Sequence, residues 1–253
     1  MPRLVRRFFP LLRMKILHDI AGTVSTIRLL DPYTEKYQSV VNQFQTKWLH
    51  PNKGVPSIVR IFQIFPEASI VQRYEEYQAK IEQAHGPFQG VQMKNGRQME
   101  LGNEQRRFHG TSAKCAIGLA PNNTNFCPEQ NCSICGIIRT SFKKSFARTR
   151  GGTRTSWERF GDGIYFSSTS SKSDDYGGGG LIYNGAVYKT MFLCKVVVGR
   201  VTKPPSDLST LTEPPQGFSS VVGEPGVGNI NYDEVVVYDD AACFPAYLII
   251  YQP

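Results

Sequence analysis

The spacing of apolar residues in the first half of the chain predicts one buried strand followed by one helix. Residues 57–65, SIVRIFQIF, are almost continuously apolar and rich in Ile, Val and Phe, which is typical of a buried strand. Pro66 then opens a predicted helix, and Gly86-Pro87 ends it. Apolar residues recur along this helix at helical spacing, at Ile70, Tyr74, Tyr77 and Ile81. We interpret that stripe as core.

Extended segments dominate the second half of the chain. Residues 163–176, GIYFSSTSSKSDDY, predict a strand that runs into a polar turn and a short helix. Three further strands are predicted at residues 188–201, 232–240 and 246–252. The Pro- and Gly-rich residues 202–231 are interpreted as one long surface loop, and residues 112–160 as loop-rich. A helix in the first half with strands in the second indicates the α+β class.

The positive charge of the chain is concentrated at its N-terminus. The chain has 253 residues and a formal net charge of +8. Five basic residues lie within residues 1–18 with no acidic residue before Asp19, so the rest of the chain carries only +3 (8 − 5). This arm could contact an anionic membrane, a nucleic acid or a mitochondrial import receptor, although its lack of Ser weakens the import interpretation. We interpret residues 1–45 as a basic extension.

The composition is that of a globular protein. Hydrophobic residues make up 40% of the chain and charged residues 20%, which argues against a disordered chain. No run of about 18 apolar residues occurs, so we expect no membrane-spanning helix. No secretory signal is recognisable, and we therefore expect an intracellular protein of the cytoplasm or nucleus.

Four of the six cysteines have the spacing of a metal site. Cys115, Cys127, Cys132 and Cys135 read C-x11-C-x4-C-x2-C, and the last pair is spaced as in a zinc knuckle. Four thiolates satisfy a tetrahedral Zn²⁺ and leave no open position, so the predicted metal is structural. Disulfides and inert thiols stay open as alternatives, because two Asn-x-Ser/Thr sequons also occur, as in secreted proteins.

Three further segments carry candidate chemistry: FHGT at 108–111, GIYFSSTSSKSDDY at 163–176 and YDEVVVY at 232–238. Each is weak alone, because a His beside a Gly is usually a turn and a Tyr in a strand is usually core. Glu234 is the unusual residue, since it stands in an otherwise apolar strand. Burying a lone carboxylate is costly, so Glu234 faces either solvent at an edge or a site.

In this order, the three segments resemble the catalytic domain of the poly(ADP-ribose) polymerase (PARP) family, the diphtheria-toxin-like ADP-ribosyltransferases. The family's signature is a His-Tyr-Glu triad on three separate strands, and His109, Tyr165 and Glu234 match it. The resemblance implies the ADP-ribosyltransferase fold, with two packed, mainly antiparallel sheets and flanking helices. We assign residues 46–253 to this domain.

The resemblance also implies the chemistry of the triad. NAD is cleaved between nicotinamide and ribose, so positive charge develops on the ribose in an oxocarbenium-like transition state. Glu234 is expected to stabilise that charge and to polarise the incoming nucleophile, and one such preorganised group is worth about 3–4 kcal/mol. His109 is expected to bond a ribose hydroxyl, and Thr111 to help hold the adenosine side.

The nicotinamide site follows from the same resemblance. Tyr176 is expected to stack on the planar ring, with Tyr165 on its other side. The backbone N–H and C=O of Gly110 are expected to bind the carboxamide, because the missing side chain lets the ligand approach. The Ser173 hydroxyl adds a donor.

The cysteine cluster departs from the family pattern. The best-known members carry no such cluster between the His and Tyr strands, and we interpret residues 115–135 as a cysteine-rich insertion that ties down a loop beside the pocket. The expected cofactors are therefore NAD, as substrate, and a structural Zn²⁺.

The predicted function is NAD-dependent transfer of ADP-ribose to an acceptor, with protein as the expected acceptor and nicotinamide released. Glu234 is compatible with both mono and poly transfer. We find no helical regulatory domain before residue 55 and no DNA-binding module, which favours mono-ADP-ribosylation. An NAD glycohydrolase using the same triad is the alternative enzyme, and an inactive ADP-ribose or zinc-dependent interaction module is the alternative of another class. Nucleic-acid binding is not expected, because the charge lies in the arm and no recognition motif accompanies it.

Overall fold

The computed structural model describes residues 22–94, 96–147 and 158–253. The basic arm predicted at residues 1–18 lies outside these ranges. Within them the chain forms ten strands, β1 Thr26–Leu29, β2 Ser57–Phe65, β3 Glu104–Gly110, β4 Ile164–Phe166, β5 Leu181–Tyr183, β6 Ala186–Val197, β7 Val201–Thr202, β8 Ser220–Gly223, β9 Glu234–Val237 and β10 Cys243–Gln252. It also forms five α-helices, α1 Glu35–Thr46, α2 Ala68–His85, α3 Ser133–Thr140, α4 Lys144–Ala147 and α5 Ser170–Asp174.

The strands form two sheets, and the predicted α+β class is confirmed. The larger sheet has the order β1-β2-β10-β6-β3, with β5 paired to β6, and all of these pairs are antiparallel. The smaller sheet has the order β4-β9-β8-β7, in which only β7 and β8 are parallel. One core cluster joins the two, with Phe192 and Leu248 from the larger sheet and Phe166 and Val235 from the smaller one.

The predicted strand at 57–65 and the helix that follows it are confirmed. β2 lies second from the edge of the larger sheet, and Ile61 and Phe62 are fully buried. α2 begins two residues after Pro66 and ends before Gly86. Its apolar stripe packs as predicted, with Ile70, Tyr74 and Ile81 buried against β6 and β10. The stripe is therefore part of the core.

The folded domain begins earlier than the predicted boundary at residue 46. β1 pairs with β2, and the Thr34 side chain caps the N-terminus of α1 by accepting a hydrogen bond from the Tyr37 N–H. On α1, Val40 and Phe44 are fully buried against the larger sheet. Residues 26–45 are therefore part of the domain and not an extension. Only these two side chains of the 12-residue helix are buried, so its apolar pattern was too sparse to signal a packed helix.

The predicted surface loop at 202–231 contains a buried strand. β8 carries only four residues, SVVG, between Pro- and Gly-rich turns, and it pairs with β9. Ser220, Val221 and Gly223 are buried there. Likewise, residues 112–160 are not loop throughout, since α3 packs Ile134 and Ile138 into the core. Both elements are short and are held by tertiary contacts that the local pattern does not contain.

The two sheets meet edge to edge beside β3 and β4. Phe108 donates its backbone N–H to the Ser167 carbonyl at 2.8 Å and accepts from the Ser167 N–H at 3.0 Å. This bridge brings the C-terminal end of β3 next to β4, so His109 and Tyr165 lie at the junction. No helix in the described ranges is long and apolar enough to cross a membrane.

Candidate active site

A hydrogen bond and contacts with aromatic rings hold His109 at the junction. Its Nδ1 lies 2.9 Å from the backbone carbonyl oxygen of Tyr165. Because a carbonyl only accepts, Nδ1 carries a proton in this arrangement. The ring packs edge-on against Phe142, with centroids 4.8 Å apart, and against Phe166 at 5.6 Å. These contacts fix the orientation of the imidazole.

Gly110 is required by the turn that packs against it. A Cβ built on Gly110 would lie 1.6 Å from the carbonyl oxygen of Ser173 and 3.3 Å from the Cβ of Tyr176. The sequence prediction explained this glycine by the approach of a ligand. The structure adds that the missing side chain also lets the Ser173–Tyr176 turn approach β3.

This turn consists of α5 and the 3₁₀ turn Asp175–Gly177. The side chain of Asp174 holds it in place. The Asp174 carboxylate lies 2.5 Å from Lys189 Nζ and 3.1 Å from Lys53 Nζ, and it accepts from the Tyr251 hydroxyl at 2.8 Å. Burial acts to raise the pKa of Asp174, but Lys189 and Tyr251 outweigh it and hold the pKa below its usual value. Ser173 is thereby fixed, while Tyr176 is 43% exposed.

The hydroxyl of Tyr165 both donates and accepts a hydrogen bond, which holds the side chain in place. The hydroxyl donates to the Gly161 carbonyl at 2.9 Å and accepts from the Phe160 N–H at 3.0 Å. Burial, together with the nearby charge of Glu234, raises the pKa of Tyr165 well above its usual value. The phenol therefore stays protonated, and the ring is held at one wall of the site.

Glu234 begins β9 and is only 6% exposed. Its Oε1 lies 2.5 Å from Nζ of Lys172, which also donates to the Tyr232 carbonyl at 3.1 Å. Its Oε2 is buried and has no hydrogen-bond partner among the described residues. One oxygen is thus held in place while the other has unused bonding capacity, which is a costly arrangement unless a ligand completes it.

Asp233 fixes the position of β9 relative to β4. Its Oδ1 accepts from the Ser168 hydroxyl at 2.7 Å and from the Ser167 hydroxyl at 3.0 Å, and it also binds the Ser168 N–H at 3.0 Å. In the same pairing, Tyr165 lies opposite Val236. Because Val236 and Glu234 are two residues apart on β9, the side chains of Glu234 and Tyr165 lie on the same face of the smaller sheet.

His109, Tyr165, Lys172 and Glu234 line one cavity of about 1080 Å³. The predicted residues that it brings together are His109, Gly110, Thr111, Tyr165, Ser173, Tyr176 and Glu234. A single cavity that holds an oriented imidazole, two tyrosines and a buried carboxylate with a free oxygen suits a planar, sugar-linked ligand.

The comparison with known families decides the identity of this fold. The model of the poly(ADP-ribose) polymerase catalytic domain matches residues 34–253. The chain belongs to the PARP catalytic domain family. At the level of the family, its activity is NAD-dependent ADP-ribosyl transfer, and NAD is its substrate. The match begins at α1, in agreement with the packing of that helix against the larger sheet.

Two residues that shape the site of this PARP domain, Lys172 and Asp233, were not predicted from the sequence. Lys172 lies inside the SKSDDY turn, and Asp233 directly precedes Glu234, so both are adjacent to residues that were singled out. Neither could be assigned from sequence, because a Lys or Asp in a polar turn is usually a solvated surface group. Only the folded structure shows that one binds the Glu234 carboxylate and the other holds Ser167 and Ser168.

The cysteine cluster of this PARP domain is assembled as its spacing predicts. The four Sγ atoms lie within 4.8 Å of one another, and the pairs Cys115–Cys132, Cys115–Cys135 and Cys127–Cys135 are 3.5 to 3.7 Å apart. Tetrahedral Zn²⁺ with Zn–S bonds of about 2.3 Å requires sulfurs about 3.8 Å apart, whereas a disulfide requires about 2.05 Å. The sulfur separations are therefore compatible with a zinc site, and no disulfide joins the six cysteines, all of which lie in the described ranges.

The thiols of the cluster must lose their protons before they can bind a metal. Burial raises the pKa of Cys115 to about 11 and also raises that of Cys135. For Cys132, burial is outweighed by hydrogen bonds from backbone N–H groups and neighbouring thiols, so its pKa is lowered. A bound Zn²⁺ would displace protons from these thiols, so metal affinity should fall at low pH.

Proposed function

We propose that this PARP domain transfers single ADP-ribose units from NAD to a protein acceptor, with Glu234 as the central catalytic residue. The observation that carries the proposal is the Glu234 carboxylate, buried at the cavity wall with Oε1 bound to Lys172 and Oε2 unpartnered among the described residues. A carboxylate fixed in this way suits the positive charge that develops on the ribose. The second oxygen can accept a hydrogen bond from a ribose hydroxyl or from the attacking nucleophile.

The nicotinamide would lie between the two tyrosines. Tyr165 and Tyr176 line the same cavity, and the backbone of Gly110 with the hydroxyl of Ser173 lies beside them. Aromatic faces suit the planar ring, and the backbone supplies one donor and one acceptor to the carboxamide. His109 would bond a ribose hydroxyl, which its fixed ring orientation supports, and Thr111 would contact the adenosine side.

The four clustered cysteines would bind one structural Zn²⁺. Their sulfur separations support this assignment, and four thiolates leave no coordination position for water or substrate. The metal would join Cys115 and Cys127 to Cys132 and Cys135 at the N-terminus of α3. It supplies no chemistry to the transfer reaction.

Transfer of a single unit remains a prediction from sequence, since a glutamate at position 234 serves both mono and poly transfer. The decisive experiment uses NAD labelled on the adenylate and measures nicotinamide release and label on protein separately. The variants are Glu234→Ala and the isosteric Glu234→Gln, with Glu76→Gln as a matched control on the exposed face of α2. We expect both signals in wild type and the control, and loss of about 100-fold or more in both Glu234 variants.

The other outcomes separate the competing functions. Nicotinamide release without label on protein would favour an NAD glycohydrolase. A ladder of labelled products of increasing length would favour polymerisation. No release from folded wild-type protein would leave an inactive binding module, although an intact set of His109, Tyr165 and Glu234 in one cavity argues against that function.

A further inference from the structure

The loop that joins α1 to β2, residues 47–56, contacts the turn that carries Ser173. We call that turn, residues 170–177, the nicotinamide turn. The Ser170 N–H donates to the Lys47 carbonyl at 3.0 Å. The loop also donates two backbone N–H groups to the next side chain of the turn. The α1–β2 loop is thus bound directly to a part of the site.

One residue of this loop, His50, contacts two parts of the site through a single ring. Its Nδ1 lies 2.7 Å from the Ser171 Oγ in the nicotinamide turn. The ring also lies beside that of Tyr232, with centroids 4.2 Å apart and an angle of 34° between the planes. Tyr232 is two residues before Glu234 in the sequence. His50 therefore contacts both the nicotinamide turn and the segment that leads into β9.

Tyr232 is bound through both its side chain and its backbone. Its hydroxyl donates to the Leu49 carbonyl at 3.4 Å, and its own carbonyl accepts from Lys172 Nζ at 3.1 Å. The same Nζ lies 2.5 Å from the Glu234 carboxylate. A shift of Tyr232 would therefore change the position of Lys172 and of the carboxylate that it binds.

The hydrogen bonds of Ser171 fix the protonation state of His50. The Ser171 Oγ accepts from the Leu49 N–H at 2.9 Å and from the His50 N–H at 3.1 Å. A hydroxyl has two acceptor lone pairs and one proton, so its own proton is the group that binds Nδ1. Nδ1 is then an acceptor, and the proton of the neutral ring lies on Nε2, which is 3.7 Å from the Asp175 carboxylate. A proton on Nδ1 would break the bond to Ser171.

Burial and the surrounding charges together favour the neutral ring. Burial lowers the pKa of His50 below its usual value, although the charge of Asp175 opposes it. Lys53 and Lys172 lower the pKa further, and Asp174 raises it. Lys53 binds both aspartates, with Nζ 3.1 Å from Asp174, which reduces their effect on the ring. Because 23% of the His50 side chain is exposed, the ring can still exchange protons with water.

His50 acts from outside the cavity. None of the three described residues His50, Ser171 and Tyr232 lines it, so His50 acts through other residues. The nicotinamide turn is anchored separately through Asp174. Loss of the His50 contacts should therefore leave the turn able to bind nicotinamide but disturb its alignment with Glu234.

We infer that neutral His50 is a positioning residue for the transfer reaction, because it joins the nicotinamide turn, through Ser171, to the segment before Glu234, through Tyr232. Protonation of the ring breaks the Ser171 bond and lowers the rate. This inference rests on the proposed function, since it takes the turn and Glu234 to act together on NAD. It gives the α1–β2 loop a role in the reaction in addition to packing.

Two substitutions separate the contacts of the ring. His50→Phe keeps an aromatic ring beside Tyr232 but has no acceptor for the Ser171 proton, whereas His50→Asn keeps an acceptor near the Nδ1 position and does not titrate. His85→Asn is the matched control, since His85 is the last residue of α2 and does not line the cavity. Steady-state nicotinamide release would give kcat and KM for NAD from pH 5 to 8, with the Tm of each protein measured in parallel.

At pH 8 we expect His50→Phe to have a kcat about tenfold below wild type, with KM within about twofold, because a displacement of less than about 1 Å is sufficient for such a loss. The ratio of the two kcat values should fall toward one as the pH decreases below about 6.5, because wild type then also loses the Ser171 bond. This ratio cancels the titration of groups that both proteins share, His109 included.

The other variants should follow wild type. At pH 8, His50→Asn should retain kcat within about threefold, since it keeps the acceptor, and His85→Asn should equal wild type. A kcat ratio between wild type and His50→Phe that stays constant from pH 8 to 5, or equal kcat values at pH 8, would overturn the inference.

Titration of the imidazole by NMR tests the Ser171 contact without measuring activity. The His50 signal, assigned by its absence from His50→Asn, should titrate below about pH 6.5 in wild type. Its pKa should rise in Ser171→Ala, which lacks the hydroxyl that donates to Nδ1. An unchanged pKa in Ser171→Ala would refute the contact and the inference with it. Absence of nicotinamide release from folded wild type would instead refute the proposed function, whatever the titration shows, so the two failures are distinguishable.

Discussion

Gly110→Ala tests whether the closeness of β3 to the Ser173 turn is essential. The new methyl group would lie 1.6 Å from the Ser173 carbonyl oxygen, whereas such contacts are essentially never under 3.0 Å. The turn or the strand must therefore move by at least 1.4 Å (3.0 − 1.6). Neither moves easily, because Gly110 lies opposite Met191 in the larger sheet and Asp174 ties the turn to Lys189.

The expected result is a large loss of activity. A displacement of about 1 Å in a catalytic site can cost about 100-fold in rate, so kcat/KM for NAD should fall by about 100-fold or more. Nicotinamide affinity should fall as well, because Gly110 and Ser173 would no longer be placed to bind the carboxamide together. Steady-state nicotinamide release and calorimetry measure the two effects.

Gly54→Ala is the control for this substitution. A Cβ on Gly54 meets nothing within 4 Å, so this variant should behave as wild type. If Gly110→Ala retained kcat/KM within about twofold of wild type, with unchanged thermal stability, the steric argument would be refuted.

Three further predictions concern charge and metal. Lys172→Met leaves the Glu234 carboxylate buried without its cation, so the free energy of unfolding at pH 7 should fall by about 3 kcal/mol along with activity, and an unchanged chemical denaturation midpoint would contradict this. Asp174 has a lowered pKa in the folded state, so its ion pairs contribute full stability above its unfolded pKa of about 3.9, and that contribution is lost as pH falls through the lower folded pKa. Wild type should therefore be more stable than Asp174→Asn from pH 5 to 8, as measured by Tm, and the difference should shrink below about pH 4. Wild type should contain about one zinc per chain by elemental analysis and Cys132→Ser much less, whereas equal metal content in the two proteins would exclude the cluster as the site.

The sequence by itself predicted the longest regular elements and supplied the candidate site residues. β2 and α2 could be predicted because their apolar patterns, a continuous run in β2 and a helical stripe in α2, extend over nine and eighteen residues. The HGT, GIYF and YDEVVVY segments carried the family resemblance, which the match over residues 34–253 supports. The spacing of the four cysteines predicted a cluster, and the structure brings their sulfurs together.

Tertiary structure alone decided where the domain begins, which short elements exist and what surrounds Glu234. β1 and β8 have four residues each, and such short strands form only because neighbouring strands pair with them. α1 is stable because Phe44 packs on the sheet, which its own sequence does not reveal. Lys172 and Asp174 look like residues of a solvated turn until the fold places a carboxylate beside one and two lysines beside the other. Sequence fixes which groups are available, but the free energy of a buried charge depends on its neighbours in space, and those are set by the fold.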